Sequence, residues 1–169
     1  MIDQKTADLI CSVAGKFDVT GRHYMGASYW FRSKYANGFE EFSKYEAKER
    51  WRYSGKLYRY VADRGFQPLI QAGSAVQNSG WSGVDVVIDL LKKHDESTMQ
   101  VLSGVVKQMI DQGMGAVGLR LSSIENYFQK DLKEILSVAD HVTTKNAMLE
   151  MVNDNLYQEY GGNHCSCSK

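Results

Sequence analysis

Apolar side chains recur at alternating three- and four-residue intervals along four long stretches of the chain. Ile10, Ala14, Phe17, Gly21, Tyr24, Ser28 and Phe31 share one stripe of a helix predicted over about 3–33. Phe39, Ser43, Glu46, Arg50, Tyr53, Leu57 and Tyr60 share another over about 38–64, bounded by the turn dipeptide Asn37-Gly38 and by Gly65 as a C-terminal stop. Val84, Ile88, Leu91, Asp95, Thr98, Leu102, Val105 and Met109 define a third helix over about 81–111. After the break Gly113-Met114-Gly115 and Gly118, residues Leu121, Ile124, Phe128, Asp131, Ile135, Val138 and Val142 define a fourth over about 119–144. A short, weakly amphipathic fifth helix is expected over about 146–160.

The spacing is that of a bundle seam. Short links pair helix one with two, and three with four, as antiparallel neighbours. The link between two and three, residues 66–80, is longer and polar. Fifteen extended residues reach about 50 Å. A helix of about 28 residues is about 42 Å long. The link can therefore run the length of the bundle and leave helix three parallel to helix two. The expected architecture is all-α: an up-down-down-up four-helix bundle with a long crossover and a short fifth helix. One domain, 1–160, would precede a flexible tail, 161–169.

Three of the four stripes carry a charge near mid-helix: Arg50, Asp95 and Asp131. A buried guanidinium without partners would cost several kcal/mol, about 3–5 where one partner of a buried pair is missing. Arginine offers five donors and no acceptor, which two carboxylates can use. The expectation is that Arg50 bridges Asp95 and Asp131, with Glu46 as a third acceptor.

Composition narrows the classes. The 169 residues suffice for one domain with a core, and the single proline, Pro68, fits a mostly helical chain. Lys plus Arg and Asp plus Glu both number 20, so no global charge draws the chain to nucleic acid or anionic membrane. No apolar run approaches a membrane span, and Asp3 and Lys5 interrupt any leader-like start. Three cysteines fit a reducing compartment, so a cytoplasmic protein is expected. Cys11 reads as a small core residue. No phosphate-binding glycine loop is present, and no Ser-His-Asp arrangement is arguable.

Several local stretches, in this order, resemble the ferritin family. NGFEEFSKY (37–45) and KLYRYVADRG (56–65) are similar to the family's second helix; ASYWF (27–31) is similar to the close of the first. Trp81 stands where the family has a tryptophan opening the third helix. YFQKDLKEILSVADHVT (127–143) resembles the fourth. The likeness spans about residues 6–144.

The resemblance implies a hollow shell that stores iron, typically a 24-subunit cage. It also implies, in catalytic subunits, a di-iron centre of inward carboxylates and one histidine that oxidises Fe(II) with O₂. A Glu-x-x-His pair would place carboxylate and imidazole on one helical face. Here the glutamate of that pair corresponds to Arg50 and the histidine to Tyr53. The first-helix glutamate falls on Phe17, given a turn two residues shorter after Phe31. The third-helix glutamate falls on Asp95, or on His94 in the adjacent register. The fourth-helix position is Asp131, and a nearby tyrosine is retained as Tyr24. The centre is thus read as a degenerate di-iron site with no catalytic residue and no cofactor at the bundle centre.

The resemblance carries further positions over. Threefold pores would be lined at Leu121 and Ile124, with Glu125 adjacent, making a narrowed or apolar opening. The cavity face of helix two, acidic in many light-type subunits, reads Lys48, Glu49, Arg52 and Lys56; Glu49 alone keeps a carboxylate that could bind metal. Such a face suits an anion better than a ferric mineral, although a solvated helix face with intrahelical pairs is the simpler account. The tail His164, Cys165 and Cys167 could bind a soft metal or simply be a loose end. His23, His94 and His141 receive no catalytic role. The tyrosines, including Tyr29, Tyr35, Tyr58 and Tyr60, read as packing residues.

Two functions follow as expectations. One is a non-catalytic subunit of an iron-storing, iron-binding cage, as a homo-oligomer or co-assembled with catalytic ferritin subunits. The other is a structural or chaperone-like cage protein that no longer stores iron. Iron remains possible in the cavity; membrane and nucleic-acid partners are not expected.

Overall fold

The computed structural model describes residues 2–70, 73, 75–76, 80–144 and 149–161. They form five helices: α1 (Gln4–Ser33), α2 (Asn37–Ala62), α3 (Val84–Asp111), α4 (Gly115–Thr144) and α5 (Leu149–Tyr160). No strand occurs among them. None of their helices is long and apolar enough to cross a membrane.

Contacts along the helices fix the topology. Phe17 meets Tyr53 and Phe31 meets Phe39, so α2 descends beside α1. Thr20 bonds Thr98 and Tyr24 bonds Asp95, so α3 also runs opposite to α1. Ser103 on α3 donates to Glu125 on α4, the return arm of a tight hairpin. The order is up-down-down-up. α5 closes one end of the bundle: Val152 and Leu156 enter the core, and the Gly38 N–H donates to Asn153 Oδ1 at 2.8 Å.

Element ends differ from the sequence reading for identifiable reasons. Asn37 and Gly38 are the first turn of α2, not a turn between helices. The reversal lies at 34–36, where Tyr35 adopts φ 58. Gly38 is required by packing: a Cβ there would lie 1.7 Å from the Asn153 carbonyl oxygen. Gly118, expected before α4, lies inside it. A Cβ there would sit 2.8 Å from Ile110 Cγ1, so glycine lets the α3–α4 hairpin close. Trp81 precedes α3, whose N-cap is Gly83, and packs edge-on to Trp30 at 6.3 Å. Asp3 caps α1 by accepting from the Thr6 N–H at 2.8 Å.

The core has two apolar halves. One gathers Ile10, Phe17, Leu57, Leu102, Leu121 and Phe128; the other gathers Phe31, Phe39, Leu91, Ile135 and Val142. Between them lies a thin polar layer at mid-bundle, and the charged positions meet there.

Leu121 and Ile124 are buried within the first half. The bundle stripe claims both side chains within the subunit. Glu125 is half-buried and accepts a hydrogen bond from Ser103.

Candidate functional site at the bundle centre

The polar layer is organised by Arg50, whose side chain is completely buried. Its Nε donates to Asp95 Oδ1 at 3.1 Å and its Nη2 to Asp95 Oδ2 at 2.6 Å, a bidentate pair between α2 and α3. Nη1 donates to Glu46 Oε2 one turn back on α2 and lies 3.5 Å from Asp131 Oδ2 on α4. The guanidinium carbon sits 4.8 Å from the Tyr24 ring centre and 5.2 Å from that of Phe128. Two aromatic rings and three carboxylates thus enclose one cation.

Tyrosines complete the carboxylates' shells. Tyr24 Oη donates to Asp95 Oδ2 at 2.6 Å, and Tyr53 Oη to Asp131 Oδ2 at 2.8 Å. Thr98 donates to the His94 carbonyl at 2.9 Å, so Thr20 is the donor in its 2.9 Å bond to Thr98. One atom is left out: Glu46 Oε1 is buried with no partner among the described residues.

Electrostatics follow from this packing. Burial opposes the Arg50 charge, but Asp95 and Glu46 outweigh it and hold the guanidinium protonated. Burial pushes the Glu46 carboxyl up to about 8; Arg50 opposes this, while Asp131 and Asp95 add to it. Asp131 is raised by burial, against Arg50 and Tyr53. Burial also raises the Tyr24 and Tyr53 hydroxyls, helped by Asp95 and Asp131 respectively, so both remain donors. Three carboxylates on one cation would leave surplus negative charge in a dry core; a proton on Glu46 removes part of it.

The side chains meet as the stripes implied: Arg50, Asp95, Asp131 and Glu46 in one cluster, with Tyr24 and Tyr53 bonded to it. Phe17 lies just outside, packed on Tyr53 at 5.3 Å and Phe128 at 4.9 Å. Asp95, not His94, points inward; His94 stacks on His23 at 3.7 Å between α1 and α3. The cationic α2 face is paired in part: Glu49 Oε2 accepts from Arg52 Nε at 3.0 Å. Cys11 is buried, as expected of a small core residue. His164, Cys165 and Cys167 lie outside the described residues.

Some of the site escaped the sequence reading. Phe128 was read as core, not as one wall of the Arg50 cage. The Thr20–Thr98 bond was foreshadowed only by two threonines at matching heights.

Solved ferritins share this arrangement of helices. The open-pore ferritin of the hyperthermophilic archaeon Archaeoglobus fulgidus superposes with a TM-score of 0.86 at 14% sequence identity, covering 92% of this chain and 98% of that one. The chain has a ferritin-like fold. An engineered closed form of the same archaeal ferritin gives a TM-score of 0.84 at 14% identity, over 92% of this chain and 96% of that one. A PmFTN variant soaked in iron gives 0.84 at 16% identity, over 90% and 99%. No protein-family model matches the chain, and no curated protein matches it by sequence.

The residues at the middle of this ferritin-like bundle do not fit a di-iron centre. Iron needs free carboxylate oxygens and imidazole. Asp95 is taken by Arg50 and Tyr24, Asp131 by Tyr53 and Arg50, and Glu46 Oε2 by Arg50. Among the described residues, no group of three or more His, Cys, Asp or Glu side chains is placed to hold a metal ion.

Proposed function

We propose that the chain is a non-catalytic, ferritin-like shell subunit. It builds a cytoplasmic cage, of 24 subunits as the resemblance implies, with copies of itself or with catalytic ferritin subunits, and iron is stored in the cavity as cargo. The observation that carries this reading is the buried Arg50 guanidinium, held by Asp95, Glu46 and Asp131. A fixed cation repels Fe(II) and occupies the oxygens that would ligate it. The shell-building surface of the bundle can persist while oxidation is left to other subunits.

Native mass measurement tests the assembly, with a closed oligomer expected. Incubation with Fe(II) and O₂ tests the chemistry: no oxidation above buffer by this chain alone, and iron retained when it is co-assembled with a catalytic ferritin subunit. Oxidation by the unmodified chain would overturn the non-catalytic reading. Conversely, Arg50→Glu with Tyr53→His and Phe17→Glu should create Fe(II) binding where the parent has none.

One observation favours a second reading, a structural cage that has left iron behind: Lys56, Arg120 and Lys130 have no ion-pair partner among the described residues, so the α2–α4 side is basic. A cage that forms but retains no iron in either assembly would select it.

A further inference from the structure

Away from the centre, cations and tyrosine rings alternate across the surface where α2 and α4 adjoin. Arg52 Cζ lies 5.2 Å from the Tyr53 ring centre. Lys56 Nζ lies 5.9 Å from the Tyr53 ring and 5.8 Å from the Tyr127 ring. Lys130 Nζ lies 5.7 Å from that same Tyr127 ring. Arg120 stands near enough to Lys56 to weaken its charge. The acid facing Lys56 is Glu49, which is paired with Arg52. Burial first, then Arg52 and Arg120, holds the Lys56 ammonium below the usual lysine range. A depression of about 410 Å³ on α4 adjoins the line, with Ser123, Asn126, Tyr127 and Lys130 in its wall.

We propose that this α2–α4 surface, centred on Lys56 and Tyr127 beside the α4 depression, binds a linear phosphate-chain anion. The chemistry selects the class. Arg52, Lys56, Arg120 and Lys130 face two acids, Glu49 and Asp131, and the cations in excess leave local positive potential that an anion relieves. Arg120 and Lys130 stand ten residues apart on α4, about 15 Å of backbone rise, with Lys56 facing the stretch between them, so an extended anion engages more of these cations than a single phosphate does. A chain of phosphates spans them, and Ser123 and Asn126 supply neutral donors. The rings hold the ammonium groups in place by cation–π contact. Tyr127 is 53% exposed, so its ring could also stack a base. The same phosphates could therefore come from inorganic polyphosphate or from a nucleoside triphosphate.

Isothermal titration of the assembled protein with inorganic tripolyphosphate, at constant ionic strength, tests this independently of any iron chemistry. Tripolyphosphate should bind about tenfold or more tighter than sulfate, and affinity should fall as salt is raised. Lys56→Ala combined with Lys130→Ala should weaken it about tenfold, while Lys5→Ala with Lys107→Ala, which removes the same charge elsewhere, should leave it within about twofold. ATP identifies the source: tighter than tripolyphosphate means a nucleotide stacked on Tyr127, and equal or weaker means the inorganic chain. Binding of tripolyphosphate no tighter than sulfate, or equal loss in both double variants, overturns the proposal. Both variants alter exposed or half-exposed side chains, and native mass confirms that each still assembles like the parent.

Discussion

Arg50 and Asp95 face each other across the bundle centre as a fork against a fork, at 3.1 and 2.6 Å, with neither side chain exposed to solvent. This pair sits between the two apolar halves of the core and ties α2 to α3, which the long crossover otherwise joins only at a distance. A planar guanidinium achieves this where a lysine would supply only a point charge.

Removing the cation should be costly. Arg50→Leu leaves Asp95 and Glu46 buried, and Asp131 part-buried, without their cation, and is expected to destabilise the fold by about 3–5 kcal/mol. The triple change Arg50→Leu, Asp95→Leu, Glu46→Leu should be more stable than that single variant, since of the three carboxylates only the part-exposed Asp131 remains. Denaturant unfolding of the two proteins decides the matter; equal losses would mean that Arg50 acts through packing alone.

Glu46 makes the fold alkali-sensitive. Its folded-state value of about 8 lies above the ordinary glutamate value of 4.5, so the folded form binds the extra proton. The stability tied to that proton is complete below about pH 4.5 and is lost as pH rises through about 8. Glu46→Gln keeps the shape without the titration. Between pH 7 and 9 its melting temperature should fall less than the parent's; parallel curves would refute the assignment.

The stacked His23–His94 pair should act on the acid side. Burial first, then the neighbouring His94, lowers His23 to about 4 from 6.5, and burial likewise lowers His94, with Asp95 opposing and Lys16 assisting. The unfolded chain takes up protons first, so stability present above about pH 6.5 is lost as pH falls toward about 4. His23→Asn should reduce that acid loss, measured as the melting-temperature difference between pH 7 and pH 5. Since both rings are half-exposed, the effect is modest, and only its direction is predicted.

Gly38→Ala is expected to loosen α5. The added methyl meets the Asn153 backbone, which cannot swing aside as a side chain can. The cost should be about 1–3 kcal/mol, typical of overpacking. Hydrogen exchange should show the loss concentrated in residues 149–160 and at the Gly38 amide, leaving the α1–α3 core protected. Uniform loss of protection would place α5 inside the cooperative core.

The four-helix architecture was legible because seam periodicity persists over every long helix, and the crossover length leaves few ways to connect them. Arg50, Asp95 and Asp131 were legible because a charge on an apolar stripe at mid-helix must be met by another. Leu121 and Ile124 lie on the core stripe, where their own periodicity placed them. Asn37-Gly38 has turn chemistry, yet Gly38 serves a close helix approach from α5, a contact with residues far along the chain. The Tyr53–Asp131 bond and the Phe128 wall depend on rotamers and helix rotation, which spacing alone does not determine.

The middle of this bundle is held by a charge that is part of the chain itself. A bound ion can be absent, exchanged or competed away; a side chain is made with every copy. If that charge takes the place of a metal, as proposed, newly synthesised subunits in an iron-starved or chelator-treated cell should melt at the same temperature as those from an iron-replete one.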